Sequence, residues 1–361
     1  MTRVVLTLAV ATIAAGTAMG GTGAVTRVGV VNWDCSVPSW TFFGRAATRS
    51  LGPEKFRDRT PYYAQVVGRD KIEYRYRTVA EYEQEMRYAI AAGIDYFAYC
   101  WYDLIPQAAE VKCAASAADG HLQEITRARI NHVKSPLRDK LHLCAILVTV
   151  HPYSDEELLS LALEMREPWY ERVGDRPLVY CFNSSKPMAR LRKACRQVGA
   201  GDPYAVQMRG VPSAVESAQI QALGAYAFCD GGTDFASFTA KSIASNAKRA
   251  AQGKPVVPHF ATGWNPTPRI ERPVPWCSYP ADLTYVDART RDDFLHGARE
   301  LARWIGENRQ SCPTGHVLAF AWNEFEEGGW ICPTLGEEGK PDTWRVEAFR
   351  AAVDVLKGRI P

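Results

Sequence analysis

Residues 316–335 read HVLAFAWNEFEEGGWICPTL. His316 to Trp322 is a short, nearly continuous apolar run, set off upstream by Cys312, Pro313, Thr314 and Gly315. A run of that length behind turn residues fits a strand covered on both faces, as in a parallel sheet. The chemistry then changes at once. Asn323, Glu324, Glu326 and Glu327 fall within five positions, among Trp322, Phe325 and Trp330, with Gly328 and Gly329 between. A solvated acidic loop is normally flanked by Lys, Ser or Gly. Carboxyls among aromatic rings describe a cleft wall instead, where burial raises a carboxyl pKa for proton transfer. The plain alternative is a surface acidic turn after a core strand.

Upstream, the same pattern of an apolar run ending in a polar tip recurs. Strands are expected over Thr26–Trp33, Ile94–Trp101, Leu141–Val150, the LVYCFN run from Leu178, Tyr204–Met208, Ala225–Cys229, Val256–Ala261 and His316–Trp322. Helix-length segments separate them. The clearest is Thr78–Ala92, where Thr78 and Glu81 form a capping-box signature ahead of an amphipathic pattern. Ser154 caps another, SDEELLSLALEM; Val215–Leu223 and Phe235–Gln252 read as further helices. Eight parallel strands alternating with helices predict a (β/α)8 TIM barrel, one catalytic domain with long strand-to-helix loops and a site at the C-terminal strand ends. Those tips carry Asp34, Asp103, His151, Asn183, Arg209, Asp230, Trp264 and Glu324. The rival, an open doubly wound sheet, lacks a GxGxxG or phosphate-binding loop after its first strand.

The 361 residues are 47% apolar and 11% aromatic, enough for a large core, and the formal charge is only +3. Basic residues are interspersed with acidic ones, so the balance gives no nucleic-acid stripe or polybasic anchor. The apolar run behind Thr2 and Arg3, VVLTLAVATIAAGTAMG, is short and rich in Ala, Gly and Thr, as in a secretory signal peptide. Cleavage between Gly20 and Ala24 leaves a domain over residues 25–361, without a membrane span, in a secreted or periplasmic setting. Ten single cysteines allow some disulfides; none shows the spacing of a metal centre, and no metal or cofactor is expected. Cys312 and Cys332 are not expected to pair, since they bracket a strand rising about 3.3 Å per residue. Cys100, Cys144 and Cys229 read as small buried residues.

Carboxylates and aromatics around one mouth describe a sugar site, with Glu324 and Glu327 as the acid–base pair of a glycosidase. A loop that turns back puts those two in one cavity and sends Glu326 elsewhere, as a solvated or structural acid. Asp34 and Asp230 read as sugar-hydroxyl ligands or as loop caps. Trp33, Trp101, Tyr102, Trp264 and Trp330 read as sugar platforms or as core. Asn323 and His151 are further candidates for substrate hydroxyls, and His259 reads as a core histidine. Arg209 and Arg269 suit an acidic or sulfated sugar, with surface salt bridges as the default.

The run AWNEFEEGGWICPTL resembles the terminal motif of glycoside hydrolase family 99 and of the related WbsX-like barrels, and GIDYFAYCWYD and FATGWNPTPR (260–269) resemble further family segments. Phe325 stands where Trp is usual. The resemblance implies retaining cleavage of α-mannoside-type linkages through a 1,2-anhydro sugar. It makes Glu324 the base toward the 2-hydroxyl and Glu327 the acid that protonates the leaving oxygen. The partner is then a polysaccharide or glycan. A glycosyltransferase-type enzyme of surface polysaccharide assembly and a non-catalytic carbohydrate-binding barrel are the alternatives; a binding barrel has no need of two carboxylates three residues apart.

Overall fold

The computed structural model describes residues 25–102, 126–148, 151–209, 213–229, 231–280 and 284–361. Eight parallel strands form the inner layer: β1 (Arg27–Asn32), β2 (Tyr96–Trp101), β3 (His142–Leu147), β4 (Arg176–Cys181), β5 (Tyr204–Gln207), β6 (Ala222–Leu223), β7 (His259–Ala261) and β8 (His316–Phe320). They pair in the order β7-β8-β1-β2-β3-β4-β5-β6. A parallel bridge from Leu223 to Val256, just ahead of β7, joins the two ends. The Val257 amide donates to the Leu223 carbonyl at 2.8 Å across that seam. The chain is a TIM barrel, and ligand chemistry belongs at its C-terminal strand ends.

The pleat decides which side chains reach the interior. Gly29 of β1 pairs with Tyr96 of β2, and a Cβ at Gly29 would fall 2.1 Å from the Tyr96 ring. The ring fills that space and meets the Tyr180 hydroxyl at 2.9 Å, closing the barrel floor. Two positions on, Ala98 and then Cys100 continue the inward row, so Phe97, Tyr99 and Trp101 face the helices. Phe97 and Tyr99 accordingly pack on His132, and Trp101 lies 5.4 Å below the Arg129 guanidinium.

The outer layer comprises α1 (Phe42–Leu51), α2 (Val79–Ala91), α3 (Arg127–Lys134), α4 (Asp155–Glu164), α5 (Met188–Val198), α6 (Ala214–Ser217), α7 (Phe235–Ala250), α8 (Thr267–Glu271), α9 (Arg291–Glu307) and α10 (Trp344–Leu356). Capping boxes open α2 at Thr78/Glu81 and α4 at Ser154/Glu157, where the sequence places them. The loop from 35 to 77 holds α1, a 3-10 turn over Glu54–Arg59 and a hairpin of Gln65–Gly68 with Lys71–Glu73.

Several expectations need correction. The sixth strand is Ala222–Leu223, not Ala225–Cys229, and the helix before it is the single turn α6 rather than a helix to Leu223. Both runs are apolar, but Tyr226 packs on Phe182 and Phe320, and Phe228 on Phe238. The apolar content of 225–229 therefore serves loop packing rather than strand pairing. Nor do disulfides form among the described residues: nine cysteines are free, with Cys144, Cys181 and Cys195 dispersed in the core and Cys229 exposed rather than buried. Cys113 and Asp103 lie outside the described residues.

Candidate active site

After β8 the chain continues alongside β1, where the Trp322 amide donates to the Val31 carbonyl at 2.7 Å. A hairpin then pairs Asn323 with Trp330 and Glu324 with Gly329, around a 3-10 turn of Phe325–Glu327. Gly328 closes that turn at φ +76°, and a Cβ there would stand 2.5 Å from the Asn265 nitrogen. Only glycine meets both demands. The Asn265 amide donates to the Glu327 carbonyl at 2.7 Å, fastening the hairpin to the loop after β7.

The turn directs Glu324 and Glu327 to one cation. Arg269 of α8 gives Nη2 to Glu324 Oε2 at 3.2 Å and Nη1 to Glu327 Oε1. Arg269 is 3% exposed, so the expected surface salt bridge is instead a buried junction. Glu326 lies 3.6 Å from the same guanidinium and packs on the Cys35 thiol, buried and not solvated. Tyr226 donates to Glu324 Oε1 at 2.9 Å, and the Tyr279 hydroxyl donates to Glu327 Oε1. Burial pushes the Glu324 carboxyl well above the ordinary range; the Glu327 charge adds to the rise and Arg269 opposes it.

An aromatic wall surrounds the junction. Trp33 and Trp276 meet edge to face at 5.6 Å, and each ring centre lies 5.8 Å from the Arg269 guanidinium. Trp264 packs on Tyr279 at 5.8 Å and on Phe320 at 5.7 Å. The indole nitrogens of Trp33, Trp264 and Trp276 are buried with no partner among the described residues. Cys100 reaches the Tyr226 hydroxyl at 3.8 Å from the inward row of β2.

Of the residues singled out from the sequence, the structure gathers Glu324, Glu327, Trp33 and Trp264 here. Trp101 is a correction: it faces outward and is wholly buried against Tyr153 and Arg129. Asp34 is another. It is buried against Arg77, which also pairs with Glu85 and stacks between Tyr63 at 4.4 Å and Tyr82 at 4.2 Å. Trp322 joins that network through Nε1, which donates to Glu85 at 2.6 Å. Asn323 is spent on the β1 end, accepting from the Trp33 amide and donating to Asn32 Oδ1, both at 3.0 Å. Trp330 turns its ring onto Arg345 at 3.7 Å and Arg59 at 5.4 Å. Tyr102 and His151 sit at the tips of β2 and β3, edge to face at 5.9 Å, with His151 Nε2 2.6 Å from Glu157. Asp230 lies outside the described residues. His259 is buried in β7, as expected of a core histidine.

Sequence reasoning missed Tyr226, Trp276 and Tyr279, and undervalued Arg269. The signal for the last was present, since Arg269 closes the FATGWNPTPR motif. The others lie on irregular loops with no period to mark an inward side. Among the described residues no group of three His, Cys, Asp or Glu side chains is arranged to hold a metal ion.

No protein-family model matches the chain, and neither does any curated protein. Among solved structures the fold is similar to that of a GH99 endo-α-mannosidase from Bacteroides thetaiotaomicron in complex with bis-tris-propane. That match has a TM-score of 0.51 and 14% identity, over 83% of this chain and 90% of that one. A second structure of the GH99 endo-α-mannosidase from that organism aligns at a TM-score of 0.49 and 15% identity, over 78% of this chain and 80% of that one. At that identity the likeness bears on the fold, which is a GH99-like TIM barrel.

Proposed function

We propose that this chain is a glycoside hydrolase acting on a polysaccharide or glycan, with Glu324 and Glu327 as its two catalytic carboxyls. One observation carries the reading. Two glutamates three residues apart share one buried guanidinium at the C-terminal mouth of a TIM barrel, under an aromatic wall. Retaining hydrolysis sets its two carboxyls about 5 Å apart, and carboxylates on the two arms of one guanidinium are held at that order of separation. Aromatic faces and indole N–H groups suit sugar rings and hydroxyls.

In the proposed sequence Glu324 takes the proton of the sugar 2-hydroxyl, and O2 displaces the leaving group at C1. Glu327 gives its proton to the departing oxygen. The 1,2-anhydro sugar then opens as water attacks C1, Glu327 accepting the water proton and Glu324 returning its proton to O2. A carboxylate whose pKa lies above the ordinary range binds a proton more strongly, which favours Glu324 for the less acidic group. Arg269 steadies both carboxylates as their charges alternate.

The leader over 1–24 adds that the protein is secreted or periplasmic; the mass of the exported protein, shorter by that segment, tests this. The reaction route is tested by a substrate lacking the 2-hydroxyl on the sugar to be cleaved. It should bind and remain intact, while the parent glycan is cleaved with retained anomeric configuration. Turnover of the 2-deoxy substrate at the parent rate refutes the route.

A further inference from the structure

A cavity of about 510 Å³ lies between the end of β5, the segment after β6 and the C-terminal half of α7. That volume is within the roughly 300–1,000 Å³ of small-molecule sites. Its charged lining is Arg209, Lys248 and Arg249, and no acidic side chain contributes to it. The buried arginines Arg59, Arg77, Arg129 and Arg269 each meet a carboxylate. The three cations of this cavity meet none among the described residues.

Arg249 is half-buried, and its donors are largely unused. Nη1 makes a weak contact of 3.5 Å with Asn246 Oδ1, which already accepts from the His259 amide at 3.1 Å. Nε and Nη2 have no partner among the described residues, and neither is sealed from solvent. Burial pulls the Arg249 pKa below its ordinary value, and no carboxylate charge opposes the shift. Lys248 and Arg249 fall in the last turn of α7, where a cation complements the helix dipole. That accounts for the exposed Lys248 but not for withdrawing a guanidinium from water, which is costly unless an anion or acceptors meet it. Arg209 is exposed at the β5 tip, without the surface salt bridge expected of it. It also ties the cavity to the barrel mouth. Its guanidinium lies 5.4 Å from the Phe182 ring, Phe182 packs on Tyr226 at 4.8 Å, and Tyr226 holds Glu324.

We propose that this cavity binds an oxyanion substituent of the glycan, a sulfate ester or a uronate carboxylate, so that the Glu324 and Glu327 pair acts on an anionic glycan. The inference rests on the hydrolase reading and names its substrate class. Guanidinium groups match the oxygens of both substituents, and the free N–H groups of Arg249 supply the donors. A neutral glycan leaves all three cations unmet.

The test measures binding to Glu327→Gln protein by calorimetry at fixed ionic strength, with probes paired on one backbone. Dextran sulfate oligosaccharides are set against dextran oligosaccharides, and oligogalacturonate against its methyl ester. One charged probe should bind at least tenfold more tightly than its neutral partner, and which one does so separates sulfate from carboxylate. That probe should also protect Cys229, an exposed thiol in the cavity lining, from alkylation read by peptide mass spectrometry. Arg249→Gln and Arg209→Gln should each weaken charged binding at least fivefold. Arg249→Gln should leave the urea midpoint unchanged or higher, because it removes an unpaired, half-buried charge. A Lys140→Gln, Arg166→Gln control removes two exposed cations outside the cavity and should change binding less than twofold. The proposal fails if no charged probe exceeds its neutral partner, if Cys229 stays unprotected, or if the control weakens binding as much as Arg249→Gln. Cleavage by unmutated protein is measured in parallel. Cleavage of neutral glycans without a charged preference overturns the anionic substrate alone, whereas charged binding at the cavity without cleavage of any glycan supports the anion site and overturns the hydrolase reading.

Discussion

Arg269 is the residue on which the candidate chemistry turns, because its two arms serve two different carboxylates. A lysine keeps the charge but offers one point instead of a fork. Arg269→Lys should therefore lower kcat about a hundredfold, or about 2.7 kcal/mol of transition-state stabilisation. It should also move the acid limb of the pH profile upward, since a single ammonium cannot bond both carboxylates and one of them loses its charge-assisted hydrogen bond. That limb should already be displaced in the unmutated protein. Glu324 must be ionised to act as a base, and its pKa is raised, so activity should fall as pH drops through a value above the ordinary carboxylate range. A profile with its acid limb at the ordinary glutamate value contradicts the assignment.

Asp34 makes the opposite prediction from the one its position at a strand tip suggests. It is buried with Arg77, not presented to a sugar. Arg77→Met should cost about 3–5 kcal/mol of unfolding free energy in urea melts, because it strands Asp34 and Glu85 as buried charges. Asp34→Asn should lower stability and leave KM unchanged; raised KM at unchanged stability would restore Asp34 to the substrate. Sequence could not separate these roles, because a strand-tip aspartate looks the same whether an arginine 43 residues away reaches it or not.

At the scale of elements, the hairpin after β8 positions both glutamates, and Gly328 is its most constrained point. Gly328→Ala adds strain at φ +76° and a 2.5 Å contact with Asn265. It should destabilise the protein by more than about 1 kcal/mol and lower kcat further than KM rises, read by steady-state kinetics beside a melt. Most elements were legible because strand tips, capping boxes and apolar runs carry local signals. β8 and its acidic hairpin were legible together. The sixth strand was not, because ALGAYAF is apolar throughout and only Gly224 marks where the chain leaves the sheet. Trp101 and Cys100 show the same limit on β2: a run apolar on both faces hides which side chains point inward.

For the whole molecule, two buried histidines contribute to acid sensitivity at mildly acidic pH. Burial lowers His132 to about 4, and burial with the Arg249 charge lowers His259 to about 3. The unfolded chain protonates both near the ordinary value of about 6.5, so it binds more protons than the folded one below that pH. Stability contributed by the neutral rings is full above about pH 6.5 and falls as pH drops toward 4. The slope approaches about 1.4 kcal/mol per pH unit for each histidine. Urea melts across that window should show it, with His132→Phe or His259→Phe each removing one proton from the linkage. Among the described residues no helix is long and apolar enough to cross a membrane.

The most direct test of the central claim is product release from α-mannans, other neutral glycans and acidic or sulfated polysaccharides. The protein lacking residues 1–24 is run beside Glu324→Gln and Glu327→Gln. Cleavage of a glycan by the unmutated protein, lost by at least a thousandfold in both variants while binding persists, is the predicted result. Binding without cleavage of any glycan by the unmutated protein, or cleavage that survives either substitution, contradicts it.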